Sequence, residues 1–369
     1  MAELFIGLIS GTSMDGVDAA LLDCSTAQPH VIATYDGSYP PGLRRRLDAA
    51  LLLEDPPAAD LGALDVAVGE AFASAATTLL KNAGFTPGDI TAIGSHGQTI
   101  RHEPNAPAPY SLQIGAPDTI SRLTGIDVVA DFRTADIAAG GQGAPLVPAF
   151  HKAVFTDAGE TRVILNIGGI ANITILPGTG SEQPVSGFDT GPGNTLMDIW
   201  ATRHLATRMD TDGHWAAAGH VNTELLEALL LDPYFRQAPP KSTGREYFNA
   251  GWLSAHTENS GVSAQDVQAT LCELSARSIA RDILGHAASA TRILVCGGGV
   301  HNPQLMNRLA ACLPGITVES TAEYGLDPDW VEAAAFAWLA QRHLNAIPGN
   351  IPEVTGARQA VVLGRLFRH

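Results

Sequence analysis

Lysine is nearly absent from this chain: Lys81, Lys152 and Lys241 are the three in 369 residues. With arginine the basic total reaches 22 against 38 acidic residues, a net charge of −16. Nucleic acid and anionic membrane surfaces call for clustered Lys and Arg, so neither is expected as a main partner. An anionic ligand would have to be held by backbone N–H groups, a metal ion and a few placed arginines. Charged residues make up only 16% and hydrophobic residues 45%, which argues against disorder over the bulk of the chain. The four cysteines, Cys24, Cys272, Cys296 and Cys312, show neither C-x-x-C spacing nor a paired His motif, and their apolar surroundings predict buried free thiols. No phosphate loop of the G-x-x-x-x-G-K-[ST] type exists: Lys241-Ser242 follows Pro240 where that loop needs glycine. The opening Met-Ala-Glu runs straight into a strand-like segment, so no secretory leader is expected. No apolar run is read as approaching the ~20 residues that span a bilayer. A cytoplasmic protein is the resulting expectation.

What is present is an alternation of apolar segments and glycine-bearing turns. At about 150 residues per domain, the length suggests two domains. Leu4 to Ile9, a small-residue loop at Ser10 to Gly16, and Val17 to Leu22 read as a β-hairpin. The pattern recurs where Arg162 to Ile167 leads into Gly168-Gly169 and Ile170 to Leu176 leads out. Leu61 to Ala83 reads as a helix ended by Gly84 in the left-handed conformation. Ala92 to Gly94, Ile126 to Ala130 and Ile293 to Cys296 read as short buried strands. Ser263 with Asp266, and Asn302-Pro303, read as helix starts, and Asp327-Pro328 is expected to open the last strong helix in the same way. The fold class is therefore α/β with two similar halves. The expected lobes are residues 1–140 and 141–369, with 134–150 as the crossing and the C-terminal segment free to pack back on the first lobe.

Without a lysine loop, phosphate would be held by backbone donors at strand ends. The candidates are Gly11 to Gly16, Gly168-Gly169, Gly191-Pro192-Gly193-Asn194 and Gly297-Gly298-Gly299. Each glycine alone is equally well read as a tight turn. Asp15 is either a hairpin-turn residue or a carboxylate for a hydrated Mg²⁺. Asp210-x-Asp212-Gly213 lacks a calcium-loop ladder and reads as a polar turn. Asp189 follows a strand-like segment and faces a Gly-rich turn, where α/β folds place functional carboxylates; capping that turn is its other reading. Glu332 shares a helix face with Ala335, Phe336 and Leu339, which puts it at the rim of the core or in a pocket. Ser95-His96-Gly97-Gln98-Thr99 offers hydroxyl, imidazole and amide groups suited to sugar hydroxyls. Arg133 could pair a carboxylate through its two-pronged guanidinium. Loop scaffolding is the alternative for all of these.

Together these segments resemble one family. Gly11-Thr12-Ser13-Met14-Asp15-Gly16-Val17-Asp18, Gly94 to Thr99, Val129 to Arg133, Gly140 to Pro148, Asn166 to Gly169, Phe188 to Asn194, Lys241 to Glu246 and Cys296 to Gly299 are similar to anhydro-N-acetylmuramic acid kinases, in order and over nearly the whole chain. The resemblance implies the two-lobed actin-like and sugar-kinase fold of duplicated ribonuclease H-like domains, with a nucleotide cleft between lobes. It implies opening of the 1,6-anhydro ring of N-acetylmuramic acid by water, with phosphorylation of O6 from Mg²⁺-ATP, in recycling of cell-wall peptidoglycan. Asp189 would be the catalytic base, assisted by Glu332. Gly11 to Asp18, Gly168, Gly169, Gly191, Gly193, Asn194 and Gly297 to Gly299 would hold ATP. Ser95, His96, Gln98, Thr99 and Arg133 would hold the sugar, with Arg133 on the lactyl carboxylate, and Asp15 would meet the metal directly or through water. The expected partners are these small molecules, with a homodimer left open. The rival readings are a kinase of the same fold acting on another anhydrosugar, a nucleotide-switched actin-like protein, and, poorest, a Rossmann dehydrogenase built on Gly297 to Gly299.

Overall fold

The computed structural model describes residues 3–11, 16–26, 28–53, 56–258 and 260–369. Thr12, Ser13, Met14 and Asp15, the middle of the expected phosphate loop with its candidate metal ligand, lie outside the described residues.

Thirteen strands are described: β1 Leu4–Ile9, β2 Gly16–Asp23, β3 His30–Ser38, β4 Ala92–Ser95, β5 Gln98–Glu103, β6 Tyr110–Ile114, β7 Val128–Ala130, β8 Thr161–Ile167, β9 Ile170–Leu176, β10 Ser186–Pro192, β11 Ala290–Cys296, β12 Thr317–Ser320 and β13 Arg365–Phe367. The chain forms two compact units, Met1–Val154 with Trp330–His369, and Phe155–Asp329. In the first, the sheet order is β13-β7-β4-β1-β2-β3. β1, β2 and β3 form an antiparallel meander, β4 and β7 run parallel to β1, and β13 is antiparallel on the β7 edge. In the second, the order β10-β9-β8-β11-β12 repeats the same plan: an antiparallel meander β8, β9, β10, then parallel β11 and β12. The repetition of hairpins in the sequence is thus a repetition of a whole five-strand topology. It is the ribonuclease H-like plan, present twice, and it makes the protein an α/β fold of two like units.

The unit boundaries fall at 154/155 and 329/330, against an expected lobe boundary at 140/141, and the segment from Trp330 groups with the first unit, as the sequence reading had left open. Residues 134–150 carry no crossing; they form the helix Thr134–Ala138 and enter the helix Val147–Phe155. The reason is Asp136, fully buried and holding this stretch inside the first unit. Its Oδ2 accepts from Gly143 N at 2.8 Å, while Oδ1 accepts from Asn350 Nδ2 at 2.6 Å and Thr355 Oγ1 at 2.7 Å. The last long helix also departs from expectation, starting at Val331. Asp327 spends its carboxylate on a local turn, accepting from Asp329 N at 3.0 Å, and so does not cap. By contrast, Ser263 and Asn302 do cap their helices, accepting from Asp266 N and Leu305 N.

Each sheet is covered by helices whose apolar faces form its core. In the second unit the helix Ala264–His286 is buried along most of its length, from Val267 to Ile283. In the first unit Ala58–Ala83 buries Leu64, Val68, Phe72, Ala76 and Leu79. This helix also corrects the sequence reading, because by length and composition alone it could cross a membrane. Its small residues keep the charge density low, and half of its most apolar window is buried within the unit.

Two glycines set how closely the helix Val331–Leu344 lies on the sheet. A Cβ on Gly7 of β1 would stand 1.8 Å from Ala333 O, and one on Gly94 of β4 would stand 2.0 Å from Phe336 O. Both obstacles are helix backbone, which cannot turn aside as a side chain would. Gly94→Ala is therefore expected to destabilise the protein by about 1–3 kcal/mol or more, as overpacking does. The drop should be visible as a lower denaturation midpoint with unchanged slope. An unchanged midpoint would show that the helix can retreat without loss.

Candidate active site

In the first unit, the polar cluster after β4 is built around Arg133. Ser95 ends β4 beside Leu8 of β1, and His96 follows it. The His96 ring packs on Phe336, centroids 4.6 Å apart. Its two nitrogens have unequal partners: Nδ1 lies 3.0 Å from Gly97 O, and Nε2 lies 2.8 Å from Arg133 Nη2. A carbonyl only accepts and a guanidinium only donates, so the partners assign a neutral imidazole with its proton on Nδ1. Burial first, and the charge of Arg133 second, hold the His96 pKa well below its ordinary value, in keeping with that assignment. Gln98 is buried and accepts from Ser10 Oγ at 2.7 Å, tying this cluster to the residue before Gly11. Thr99, partly exposed, accepts from Gln113 Nε2 through its hydroxyl at 3.1 Å.

Arg133 follows β7 and donates from Nη1 to Gly143 O at 2.7 Å, the same Gly143 whose N–H is held by Asp136. Its Nε is buried with no hydrogen-bond partner. Burial lowers its pKa to about 10, opposed by the charges of Glu332 and Asp136, so it stays cationic at neutral pH. His96 and Arg133 therefore do come together, with Ser95 next to His96 along the chain, whereas Gln98 spends its oxygen on Ser10. Arg133 is the member with unspent donors. Glu332 stands in the first turn of its helix, partly buried, where the helix dipole favours a carboxylate, and its charge is felt by Arg133.

Of the expected nucleotide loop, Gly11 and Gly16 flank the residues outside the description. A Cβ on Gly16 would fall 2.3 Å from Gly37 O, so β3 requires glycine there. Val17 is buried in the core, and Asp18 pairs with Ile9 across the hairpin.

In the second unit, the turn at Gly168-Gly169 locks onto the turn after β10. Asn194 N donates to Gly168 O at 2.9 Å, and Gly193 N and Thr195 N donate to Gly169 O at 2.9 and 3.1 Å. These donors, at and just before the start of the helix Thr195–Leu205, are thus spent on hairpin carbonyls. Gly191, at φ 137°, faces the ring of Phe235. Gly297 has φ 78° and Gly299 packs on Ile167, whereas a Cβ on Gly298 would meet open space.

Asp189 lies in β10 at an irregularity in its pairing with β9. Its carboxylate accepts from Thr243 N at 3.0 Å, its N–H donates to Lys241 O at 3.2 Å, and its carbonyl accepts from Tyr234 Oη at 2.8 Å. Burial pushes its pKa up to about 6; Thr243 lowers it, Glu246 raises it and Lys241 lowers it. A partly buried carboxylate tuned to about 6 is ionised at neutral pH and still basic enough to take a proton.

Two residues beside these turns escaped the sequence reading. The Arg245 guanidinium lies against the 168–169 turn, with Nε and Nη2 each 3.1 Å from where a Gly169 Cβ would be. Asp198, on the following helix, has its pKa raised to about 6 by burial, with Arg245 opposing. Arginine could be singled out in a chain this acidic, but nothing local ties residue 245 to residue 169. Asp210 accepts from Trp215 N and Ala216 N, as a polar turn should. Cys24, Cys272, Cys296 and Cys312 are free thiols. Among the described residues, no group of three His, Cys, Asp or Glu side chains converges as a metal site.

The family model described as anhydro-N-acetylmuramic acid kinase matches residues 3–369. The anhydro-N-acetylmuramic acid kinase of Shewanella amazonensis (strain ATCC BAA-1098 / SB2B) is 52% identical over 366 residues, covering 99% of this chain and 98% of that protein. That of Shewanella sp. (strain MR-7) is 53% identical over 364 residues, covering 98% of each. Among solved structures, the activator of the 2-hydroxyisocaproyl-CoA dehydratase from Clostridium difficile with bound ADPNP is similar at a TM-score of 0.48 and 11% identity, covering 91% of this chain and 93% of that one. A ROK family glucokinase from Streptomyces griseus in complex with glucose and AMPPNP is similar at 0.37 and 15%, covering 91% and 99%. Both structural likenesses are distant.

Proposed function

Since the chain belongs to the anhydro-N-acetylmuramic acid kinase family, we propose that Asp189 is the general base of its reaction and that Arg133 is the anchor of its sugar. The enzyme is an ATP-dependent kinase that opens the 1,6-anhydro ring of anhydro-N-acetylmuramic acid and phosphorylates O6, giving N-acetylmuramate 6-phosphate and ADP. In the proposed mechanism, Asp189 takes a proton from water as its oxygen bonds to the anomeric carbon. The bond from that carbon to O6 breaks, and O6 bonds to the γ-phosphorus as the bond to the ADP oxygen breaks. The single observation that carries this role is the Asp189 carboxylate aimed by Thr243 N and tuned to about 6. General-base assistance is worth about 10²–10⁴-fold.

Arg133, with donors to spare and a fork that fits a carboxylate, would hold the lactyl group; Glu332 would assist beside it. Ser95, His96, Gln98 and Thr99 would shape that pocket, with His96 chiefly orienting Arg133. The glycine turns at 11–18, 168–169, 191–194 and 297–299 would line the nucleotide, with Arg245 meeting phosphate charge. Mg²⁺ usually keeps several waters and binds through one or two carboxylates plus phosphates. Asp15 would be its carboxylate, and the ion would neutralise phosphate charge. A cytoplasmic role in peptidoglycan recycling follows from this substrate.

The test is to incubate the protein with Mg²⁺-ATP and anhydro-N-acetylmuramic acid and to weigh the product. The expected mass is that of the sugar plus one water and one phosphoryl group, with one ADP per sugar. ADP release without a phosphorylated sugar would sink the reading. A parallel anhydrosugar lacking the lactyl carboxylate should turn over poorly, because nothing in it would engage Arg133.

A further inference from the structure

The chain places one of its three lysines in the interior of the second unit. The Lys241 side chain is 1% exposed and its Nζ lies 2.9 Å from Asp282 Oδ2, itself 9% exposed, on the helix Ala264–His286. Burying such a pair is a poor way to gain stability, because desolvation of both ions consumes most of their attraction. An apolar pair of similar volume would serve the core at least as well. The position of Lys241 suggests what the pair does instead.

Its backbone carbonyl accepts the Asp189 N–H, and two residues on, Thr243 N donates to Asp189 Oδ2. Its ammonium lies 4.9 Å from the ring centroid of Tyr234 and 5.8 Å from that of Phe188. Phe188 precedes Asp189, and Tyr234 donates to the Asp189 carbonyl. The segment that aims the carboxylate is therefore pinned through its own first side chain. We propose that the Lys241–Asp282 pair is a positioning device that fixes the 241–243 segment and so the aim of the Asp189 carboxylate. This rests on Asp189 acting as the base.

The test variant is Lys241→Met with Asp282→Leu, which keeps bulk and removes both charges together. Its melting temperature should stay within a few degrees of the parent. Misplacement of a reacting group by about 1 Å can cost 10²-fold, so kcat should fall about 10- to 100-fold with KM for ATP and sugar within twofold. The acid limb of the kcat profile should move to higher pH. Of the groups facing Asp189, Lys241 and the Thr243 N–H lower its pKa and would be lost or loosened, whereas Glu246 raises it and would remain; Tyr234 is a further titratable neighbour, and Asp282, which faces Lys241 and Tyr234, leaves with the pair. Lys241→Arg with Asp282 intact should recover part of the loss.

A folded double variant with parental kcat and acid limb would overturn the proposal. Should the double variant fail to fold, Asp282→Asn, which keeps the shape, a hydrogen-bond acceptor and the Lys241 side chain, decides by kcat alone: a folded variant with parental kcat would overturn the proposal. Asp189→Asn assayed alongside separates the two claims. If it keeps turnover, the base assignment fails; if it is inactive while the double variant is parental, only the positioning role fails.

Discussion

Asp189→Asn is expected to bind nucleotide and sugar as the parent does and to lose turnover by about 10²-fold or more. The substitution keeps size and leaves an oxygen to accept from Thr243 N, so the 241–243 segment has no cause to move. What it removes is a proton acceptor. In the parent, the raised pKa of about 6 predicts an acid limb in kcat/KM, with activity climbing as pH rises through that value and level above it. The base must be unprotonated to act, which gives the limb its sign. In the variant the limb should vanish from the residual activity. The same burial makes the ionised form costly, so the contribution of this carboxylate to stability falls as pH rises from the unfolded value toward about 6. Near-parental turnover in Asp189→Asn, measured as ADP release and as sugar phosphate, would remove the residue from the mechanism.

Arg133→Ala should raise the sugar KM about 10- to 100-fold while the nucleotide KM holds. A charge-assisted hydrogen bond contributes roughly 1.5–3 kcal/mol, and each 1.4 kcal/mol is tenfold in affinity. The truncation has a second consequence inside the unit. It leaves His96 Nε2 and Gly143 O without their donor, and Glu332 without the nearby charge. Arg133→Lys separates the two effects, since it keeps the charge and loses the fork. If the fork on the lactyl carboxylate matters, Lys should recover little of the sugar affinity. An unchanged sugar KM in Arg133→Ala would refute the assignment, and a loss shared equally by ATP and sugar would mark a collapse of the 133–143 loop.

Much of this protein was legible along the chain because the relevant physics is local. Five apolar residues around Gly7 before a small-residue loop make β1; Val163, Ile164, Leu165 and Ile167 before Gly168-Gly169 make β8; Gly84 ends its helix because it alone accepts the left-handed conformation cheaply. Asp189 could be suspected from its place after an apolar strand-like segment and before glycines, although the strand runs on through it to Pro192 rather than ending there. Where local reading failed, a competing local bond was the cause, as when Asp327 turned its carboxylate onto Asp329 N, or a distant partner was, as when Asp136 drew residues 134–143 onto Asn350 and Thr355.

The order of elements, the twofold repetition of hairpins and the residue types available for chemistry were thus determined by the sequence alone. Periodicity, capping and turn formation act over a few residues, so they can be read in order. Only the tertiary structure decided which of those residues meet. Arg133 finds His96 across 37 positions and Asp136 finds Asn350 across 214, while Lys241 reaches Asp282 on a helix that no local pattern links to it. Such meetings are set by strand order and by the close packing of helices on sheets, down to the absent Cβ of Gly94. Burial also raises the pKa values of Asp189 and Asp198 to about 6, which no residue type or spacing specifies.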